Sequence, residues 1–227
     1  LHAQCEGARV MAYWTAILLD ESEHHPDATV RQERNDLVAL LTPILKAFLT
    51  HLGHHGANEA LGVLGGHGYV HDWGIEQHVR DSRIALIYEG TNEIQAIDLL
   101  VRKVLADGGQ GLAALLASMP GAAPSPAASA RRHALVEITQ TLAIAAQTDP
   151  ELPYWVADDY LRAVALVLLE WAFSRVRATV GAAAPRWQMP TQAFAQWVLP
   201  EFDLRAAIMR QRIAQVLEFK PTTAPGC

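Results

Sequence analysis

"IALIYEGTNEIQAIDLL", residues 84–100, places Glu89 between an apolar run and the start of an amphipathic helix. Gly90 follows it directly, and Asn92 with Gln95 three residues later is typical of a capping box at a helix start. Acidic residues favour the first turns of helices, because they meet the positive end of the helix dipole. Position alone therefore leaves two interpretations of Glu89: a solvated charge at a helix start, or a base held in a pocket.

Outside this stretch, apolar residues recur mostly at helical spacing. Steps of three and four residues predict a first helix over residues 3–20 and a second over residues 29–41. Pro43, preceded by threonine, favours a new helix start, because proline at the first helical position loses no needed hydrogen bond. The third helix is predicted to end at Gly65 and Gly66. Further helices are predicted over residues 75–82, from 92 to the "ADGG" segment, and over 129–148, 155–181 and 191–218 with a break at Pro200.

The absence of strand patterns and one biased segment predict the organisation of the chain. No stretch alternates convincingly between apolar and polar residues, so we predict an all-α fold. The segment "SMPGAAPSPAASA", residues 118–130, is rich in Pro, Ala, Ser and Gly, which favours a linker. It divides the chain into a helical bundle over residues 1–117 and a carboxy-terminal helical extension over residues 131–227. Leu1 already stands in helical rhythm, and we expect a fragment whose beginning lies elsewhere.

The composition argues against several classes of partner. We expect a folded, soluble protein. The chain contains 18 Lys and Arg against 24 Asp and Glu, and this net charge of -6 disfavours a nucleic-acid-binding surface, which needs cations to neutralise phosphates. The longest apolar run, "AVALVLLEWAF" at residues 163–173, is too short to span a bilayer and predicts a buried helix, so we expect no membrane partner. Cys5 and Cys227 lack the spacing of metal or redox motifs, which favours a reducing, cytoplasmic compartment.

Three blocks of sequence carry a family resemblance: "LGVLGGHGY" at 61–69, "RDSR" at 80–83 and "IYEGTNEIQ" at 87–95. In this order they closely resemble the carboxy-terminal helical domain of the acyl-CoA dehydrogenase family, best over residues 5–105. The resemblance implies FAD as cofactor and an acyl-CoA thioester as substrate. It also implies Glu89 as the catalytic base that takes the α proton while a hydride leaves the β carbon for flavin N5. Electron-transferring flavoprotein is the implied acceptor.

The same resemblance implies binding roles around Glu89. Tyr88 and Gly90 would line the thioester end of the site, and the backbone N–H of Glu89, with a flavin hydroxyl, would bind the thioester oxygen. Gly62 departs from the family, in which glutamine is usual at this position. Helix termination is the alternative interpretation of Gly65 and Gly66. Flavin contacts are implied for Thr91 and Glu93 and, from the neighbouring subunit of a homo-oligomer, for Val63, Leu64, Gly65 and Gly66.

Charged and titratable residues near Glu89 allow further expectations. We expect Glu89 in a desolvated pocket, because apolar neighbours raise the proton affinity of a carboxylate. Arg80, Asp81 and Arg83 are interpreted as a structural ion-pair cluster that orients the Glu89 loop, with direct ligand contact as the alternative. The histidines of this half lack a convincing carboxylate partner, so we predict no metal site. They are His51, His54, His55, His67, His71 and His78.

Residues 110–227 resemble, more loosely, the helical extension of some bacterial branches of the family, including enzymes that act on methylthio-propanoyl thioesters. In the last helix we expect an apolar face to pack against the bundle, with structural padding as the alternative. That face comprises Leu204, Ala207, Ile208 and Ile213. Nothing in the chain resembles the family's amino-terminal helical domain or its β domain. We therefore expect negligible activity and weak or no FAD binding from this part alone.

Two other functions compete with the enzyme interpretation. The first is a helical oligomerisation or interaction module without activity of its own, but packing does not require Glu89 in an intact "YEGT" block. The second is a DNA-repair-associated homologue with a basic surface, which the low Lys and Arg count disfavours.

Overall fold

The computed structural model describes residues 1–119, 124–180 and 184–218, and every regular element in these ranges is helical. This confirms the predicted all-α fold class. Residues 120–123 of the predicted linker, residue 181 of a predicted helix and Cys227 lie outside the described residues.

The helices follow one another with short connections. Up to residue 118 the α-helices are α1 (His2–His24), α2 (Ala28–Val63), α3 (Gly66–Tyr69), α4 (Ile75–Arg83), α5 (Asn92–Ile97) and α6 (Gln110–Ser118). From residue 124 onward they are α7 (Pro126–Ala145), α8 (Leu152–Val180), α9 (Pro185–Ala193) and α10 (Glu201–Glu218). Short 3-10 turns cover His71–Trp73 and Ile84–Leu86, and π-helical segments continue α5 over Asp98–Leu105 and α9 over Phe194–Val198.

α2 is one long helix, although the sequence predicted a helix boundary at Pro43. A proline inside a helix leaves the carbonyl four residues earlier without its N–H partner. Here that carbonyl belongs to Ala39, and the Lys103 ammonium donates a hydrogen bond to it at 2.5 Å. The prediction of two helices was wrong because a lysine from a distant segment supplies the hydrogen bond that the local sequence lacks.

α8 is the most buried helix of the described chain. Every residue from Ala163 to Leu169 is at most 1% exposed, which is typical of a helix surrounded by others. α8 packs against α1, α2, α5, α7 and α10, and its side chains belong to one hydrophobic cluster with Ile44 and Phe48 of α2. The predicted buried helix is confirmed. The division of the chain at residues 118–130 stays a prediction.

Polar contacts also join the helices before residue 118 to those after residue 124. Glu6 of α1 is buried and pairs with Arg186 of α9 at 3.3 Å. Within the later helices, Arg162 of α8 donates two hydrogen bonds to Glu201 of α10, at 2.6 and 2.9 Å. A bidentate ion pair of this kind fixes the relative orientation of two helices, because two guanidinium nitrogens and both carboxylate oxygens are engaged.

α10 packs with a different face from the one predicted. Leu204 is 58% exposed and Ala207 is also exposed. The buried residues are Phe202, Ala206, Met209 and Ile213. Their spacing of four, three and four residues forms one stripe of a helix, from which Leu204 lies about half a turn away. The predicted face was wrong at Leu204 and Ala207, whereas Ile208 is half-buried and Ile213 is buried, because contacts with α7 and α8 select one stripe of a helix with apolar residues on several sides.

α2 is long and apolar enough, by length and composition alone, to cross a membrane. This is weak evidence for a membrane span, because the core helix of a soluble protein meets the same criteria. In the described structure α2 packs against α1, α4, α5 and α8.

Candidate active site at the Glu89 loop

The Glu89 loop, residues 87–91, connects a 3-10 turn to α5. Glu89 has a φ of 53° and Gly90 a φ of 84°, so two successive residues adopt the left-handed backbone conformation. Glycine adopts it freely, whereas a residue with a Cβ atom is strained there. Within the described ranges, Glu89 is the one residue other than glycine with a positive φ. Such a conformation persists where the surrounding contacts impose it.

Side chains between α2 and α5 provide those contacts. Lys46 Nζ donates to the carbonyl oxygen of Gly90 at 2.5 Å and to Asn92 Oδ1 at 3.1 Å. Asn92 Nδ2 donates to the carbonyl oxygen of Ala47 at 3.0 Å, and Asn92 Oδ1 lies 3.1 Å from Thr50 Oγ1, whose hydroxyl is also 2.6 Å from the carbonyl oxygen of Lys46. The loop is thereby fastened to one turn of α2. Sequence reasoning missed Lys46; its signal is a lone charge inside the apolar stretch "PILKAFL".

The start of α5 differs from the predicted capping box. Thr91 is the N-cap, and its hydroxyl accepts a hydrogen bond from the backbone N–H of Ile94 at 3.3 Å. Gln95 reaches back and donates to the carbonyl oxygen of Glu89 at 3.3 Å. The prediction of Asn92 as the cap was wrong, because its side chain is engaged with α2.

Glu89 is exposed, and its neighbours Ile87 and Tyr88 are 50% and 51% exposed. Neither the Glu89 carboxylate nor its backbone N–H forms a hydrogen bond with another described residue. The expected desolvated pocket is therefore not built by the described residues, because the apolar neighbours are themselves half in solvent. Gly90 is half-buried beneath Gln95, whose Nε2 would lie 2.7 Å from a Cβ at that position.

The predicted cofactor residues lie on two separate elements. Val63, Leu64, Gly65 and Gly66 lie at the end of α2, where all four are exposed, Val63 at 82%. A Cβ atom at either glycine would meet no heavy atom within 4 Å, and Gly65 has a φ of 56°, so the pair also ends the helix. Thr91 and Glu93 lie at the start of α5. Hydrogen bonds from the backbone N–H of Glu93 and from the Thr91 side chain lower the pKa of the Glu93 carboxyl.

An open groove of about 1060 Å³ runs beside the Glu89 loop, between α2, α3 and α4, with Ile87 on its wall. Arg80 and Arg83 line it and form no ion pair with another described residue. Asp81 accepts a hydrogen bond from Gln77 at 2.6 Å instead. The predicted ion-pair cluster was wrong, because α4 exposes these side chains to the groove and not to one another.

Comparison with known proteins identifies the part of the chain that carries this loop. Residues 1–105 match the family model described as "Acyl-CoA dehydrogenase, C-terminal domain". These residues match the acyl-CoA dehydrogenase family, and we refer to them as the acyl-CoA dehydrogenase domain. The chain is similar to 3-methylmercaptopropionyl-CoA dehydrogenase of Ruegeria pomeroyi, with 39% identity over 137 residues, which cover 59% of this chain and 23% of the relative. It is also similar to the broad-specificity linear acyl-CoA dehydrogenase of Mycobacterium tuberculosis, with 37% identity over 49% of this chain and 18% of the relative.

Two solved structures share the fold over nearly the whole chain. Caenorhabditis elegans ACDH-11 in complex with C11-CoA has a TM-score of 0.66 at 19% identity, covering 98% of this chain and 39% of the other. A Bacillus anthracis acyl-CoA dehydrogenase complexed with FAD has a TM-score of 0.64 at 17% identity, covering 99% of this chain and 44% of the other. At these identities the likeness concerns the fold alone. The chain spans less than half the length of each of these proteins.

A second cavity, of about 240 Å³, lies between the acyl-CoA dehydrogenase domain and α8 and α10. Asn92 and Glu93 line it on one side, and Asp158 and Arg162 on the other. His51 also lines this cavity. The residue keeps an exposed surface, but partial desolvation of its ring and the charge of Arg162 lower the pKa of His51 to about 4. Sequence reasoning missed this cavity, because its residues come from four helices.

The histidines of the acyl-CoA dehydrogenase domain form separate pairs. His54 Nδ1 lies 3.0 Å from Ser82 Oγ, and His71 Nδ1 lies 2.8 Å from Glu76 Oε1. In the part of the chain that the structure describes, no group of three or more His, Cys, Asp or Glu side chains is placed to hold a metal ion.

Proposed function

We propose that this chain is the carboxy-terminal part of an FAD-dependent acyl-CoA dehydrogenase, with Glu89 as the base that takes the α proton of an acyl-CoA thioester. The observation that carries the proposal is the Glu89 carboxylate, held without a hydrogen-bond partner among the described residues on a strained turn of an acyl-CoA dehydrogenase domain. A solvated charge at a helix start needs no such turn. The names of the relatives, an acyl-CoA dehydrogenase in each case, support the reaction class.

Both functional groups of Glu89 suit this reaction. Its carboxylate is free to accept the α proton, and its backbone N–H is free to donate to the thioester oxygen on which negative charge develops. FAD, when bound, would accept the hydride from the β carbon at flavin N5, so that a carbon–carbon double bond forms. Burial under the substrate and further domains would raise the basicity of the carboxylate, which is exposed in the described chain.

In a homo-oligomer the predicted flavin residues fit two flavin sites, residues 63–66 that of the neighbouring subunit and Thr91 with Glu93 that of their own subunit. Val63, Leu64, Gly65 and Gly66 present a surface without side-chain crowding, because the glycines leave open space where a Cβ would stand. Thr91 and Glu93 present polar groups at the start of α5. We propose that Tyr88 and Gly90 contact the thioester, and that the rest of each flavin site comes from further domains and from a second copy in a homo-oligomer.

Further parts of the proposal follow from the reaction class. A reduced flavin must pass its electrons on, and we propose electron-transferring flavoprotein as the acceptor. We propose a cytoplasmic location, on the basis of two cysteines without disulfide spacing. This part of the chain is proposed to be inactive alone, because Glu89, Glu93 and residues 63–66 are exposed to solvent in the described structure.

The alternative function is an assembly module without activity. It is favoured by the large apolar side chains between residues 63 and 94 that are 50% exposed or more, as expected where another domain or subunit covers the chain. They are Val63, Tyr69, Trp73, Ile84, Ile87, Tyr88 and Ile94. Both functions require contacts with these side chains, whereas the enzyme alone requires the carboxylate of Glu89.

The decisive experiment is Glu89→Gln in the complete protein, studied by rapid mixing with an acyl-CoA. The variant keeps the shape of the side chain and removes the base, so flavin should stay bound while its bleaching by substrate is abolished. Glu59→Gln is the matched control, because Glu59 is exposed on α2 and lies 4.0 Å from His55. Unchanged bleaching in Glu89→Gln would show that another residue is the base. A wild-type protein that binds no flavin and reduces none would support the assembly module.

A further inference from the structure

The strained turn at Glu89 needs a restraint that acts after Glu89 in the chain. Glu89 and Gly90 both adopt the left-handed conformation, so the Gly90 carbonyl is the last of the turn. The position of this carbonyl sets the direction in which the chain leaves the turn. Gln95 holds the carbonyl of Glu89 through a longer hydrogen bond of 3.3 Å from within the same segment. A contact of this kind moves with α5 and does not locate the loop relative to α2.

Lys46 supplies the contact from outside the segment. Its ammonium donates to the carbonyl of Gly90 at 2.5 Å and to Asn92 at 3.1 Å, and it forms no ion pair with a carboxylate of the described residues. Lys46 is half-buried, and the carboxylate of Glu93 is close enough to sense its charge without pairing with it. Both hydrogen bonds of the ammonium therefore go to neutral oxygens of the segment that follows Glu89. A hydrogen bond from a charged donor is stronger than one between neutral groups.

Asn92 and Thr50 make this restraint stiff. The Asn92 amide engages Ala47 and Thr50 on the same turn of α2 that carries Lys46. Three side chains therefore locate the peptide after Glu89 against a helix that is buried at Ile44 and Phe48. Buried neighbours of this kind do not shift easily, because cores are close-packed.

We propose that Lys46 is a positioning residue for the base: its ammonium holds the Gly90 peptide and so sets the place of the Glu89 carboxylate and N–H relative to the α carbon of the substrate. The inference rests on the proposed function of Glu89. A misplacement of about 1 Å at a reacting group lowers a rate about 100-fold, because the reacting atoms then miss their alignment. Because the Lys46 ammonium is engaged on Gly90 and Asn92, its removal should change the chemical step more than substrate binding.

The test is Lys46→Met in the complete flavoprotein, compared with Lys103→Met. Lys103 is a matched control, because its ammonium also donates to a backbone carbonyl of α2, that of Ala39, far from the loop. Lys46→Met should lower the rate of flavin reduction at saturating acyl-CoA by about 10- to 100-fold. Substrate affinity should stay nearly unchanged, and the α-deuterium isotope effect should rise. Backbone amides of residues 88–92 should exchange hydrogen faster, and Lys46→Arg should recover most of the rate.

The outcomes separate this proposal from the function on which it rests. Lys103→Met should reduce thermal stability and leave the reduction rate unchanged. An unchanged rate in Lys46→Met, together with abolished reduction in Glu89→Gln, would overturn the role of Lys46 alone. Equal losses of rate in the two lysine variants would show that Lys46 acts only through overall stability. Normal reduction in Glu89→Gln would overturn the proposed base instead.

Discussion

Replacing Gly7 with alanine tests how closely α1 approaches α8. A Cβ atom at Gly7 would lie 2.6 Å from Leu169 Cδ2 and 3.0 Å from Phe173 Cε2. These two side chains are 0% and 3% exposed, so neither can turn into solvent to relieve the overlap. The neighbouring helix must move away or the two side chains must leave their preferred rotamers.

The magnitude of this change is worked from two opposing effects. An overpacked core loses about 1–3 kcal/mol, whereas alanine in place of glycine inside a helix gains roughly 0.5–1 kcal/mol. Gly53→Ala in α2 is the matched control, because Gly53 is exposed and a Cβ there would meet nothing within 4 Å. The helix gain is common to both variants, so the difference between their free energies of unfolding isolates the overlap. We expect Gly53→Ala to be the more stable by about 1–3 kcal/mol.

Urea and thermal denaturation of this 227-residue chain, followed by far-ultraviolet circular dichroism, measure that difference. For a chain of this length, each kcal/mol should separate the two Tm values by roughly 2–4 °C. Equal stability of the two variants would refute the close contact between α1 and α8. The path of α1 over the most buried helix would then have to differ from the one described.

Two further predictions concern charged groups. Glu170→Gln should lower the free energy of unfolding by about 2 kcal/mol, because Glu170 accepts two hydrogen bonds from Arg131 at 2.6 and 2.9 Å. Glu137→Gln, which removes an exposed ion pair with Arg210, is the control, and an equally large loss there would contradict the reasoning. His51 has a folded pKa of about 4 against about 6.5 when unfolded, so the unfolded state gains a proton first and stability should fall as the pH drops from about 6.5 to about 4. Denaturation curves across this pH range should show a smaller fall in His51→Gln, and an identical fall would disprove the effect of partial desolvation and of the Arg162 charge on this ring.

The extent of sequence-based prediction differs between the loop and its supports. The resemblance of "YEGT" to the family block implied a base at Glu89, whereas the left-handed turn of Glu89 and Gly90 was not predicted. Lys46 stands 43 residues before Glu89, and no local pattern connects the two. Asn92 was misinterpreted for the same reason, since its amide can hydrogen-bond either to the start of its own helix or to the backbone of a distant helix.

Helix boundaries show the same contrast. Gly65 ends α2 as predicted, because a glycine with positive φ closes a helix through its own backbone. Pro43 does not start a helix, because the carbonyl that it leaves unpaired is bound by Lys103, which is distant in sequence. A proline predicts a boundary only where no other side chain supplies the lost hydrogen bond.

By itself, the sequence determined the helical class, the buried character of residues 163–173 and the order of blocks that places Glu89 in an acyl-CoA dehydrogenase domain. These properties follow from residue types and spacings within single segments. The tertiary structure alone decided which stripe of α10 is buried, which side chains hold the Glu89 loop, and that the Glu89 carboxylate is exposed in the described chain. Burial and hydrogen-bond pairing are set by contacts between segments far apart in the chain, and local periodicity carries no information about such contacts.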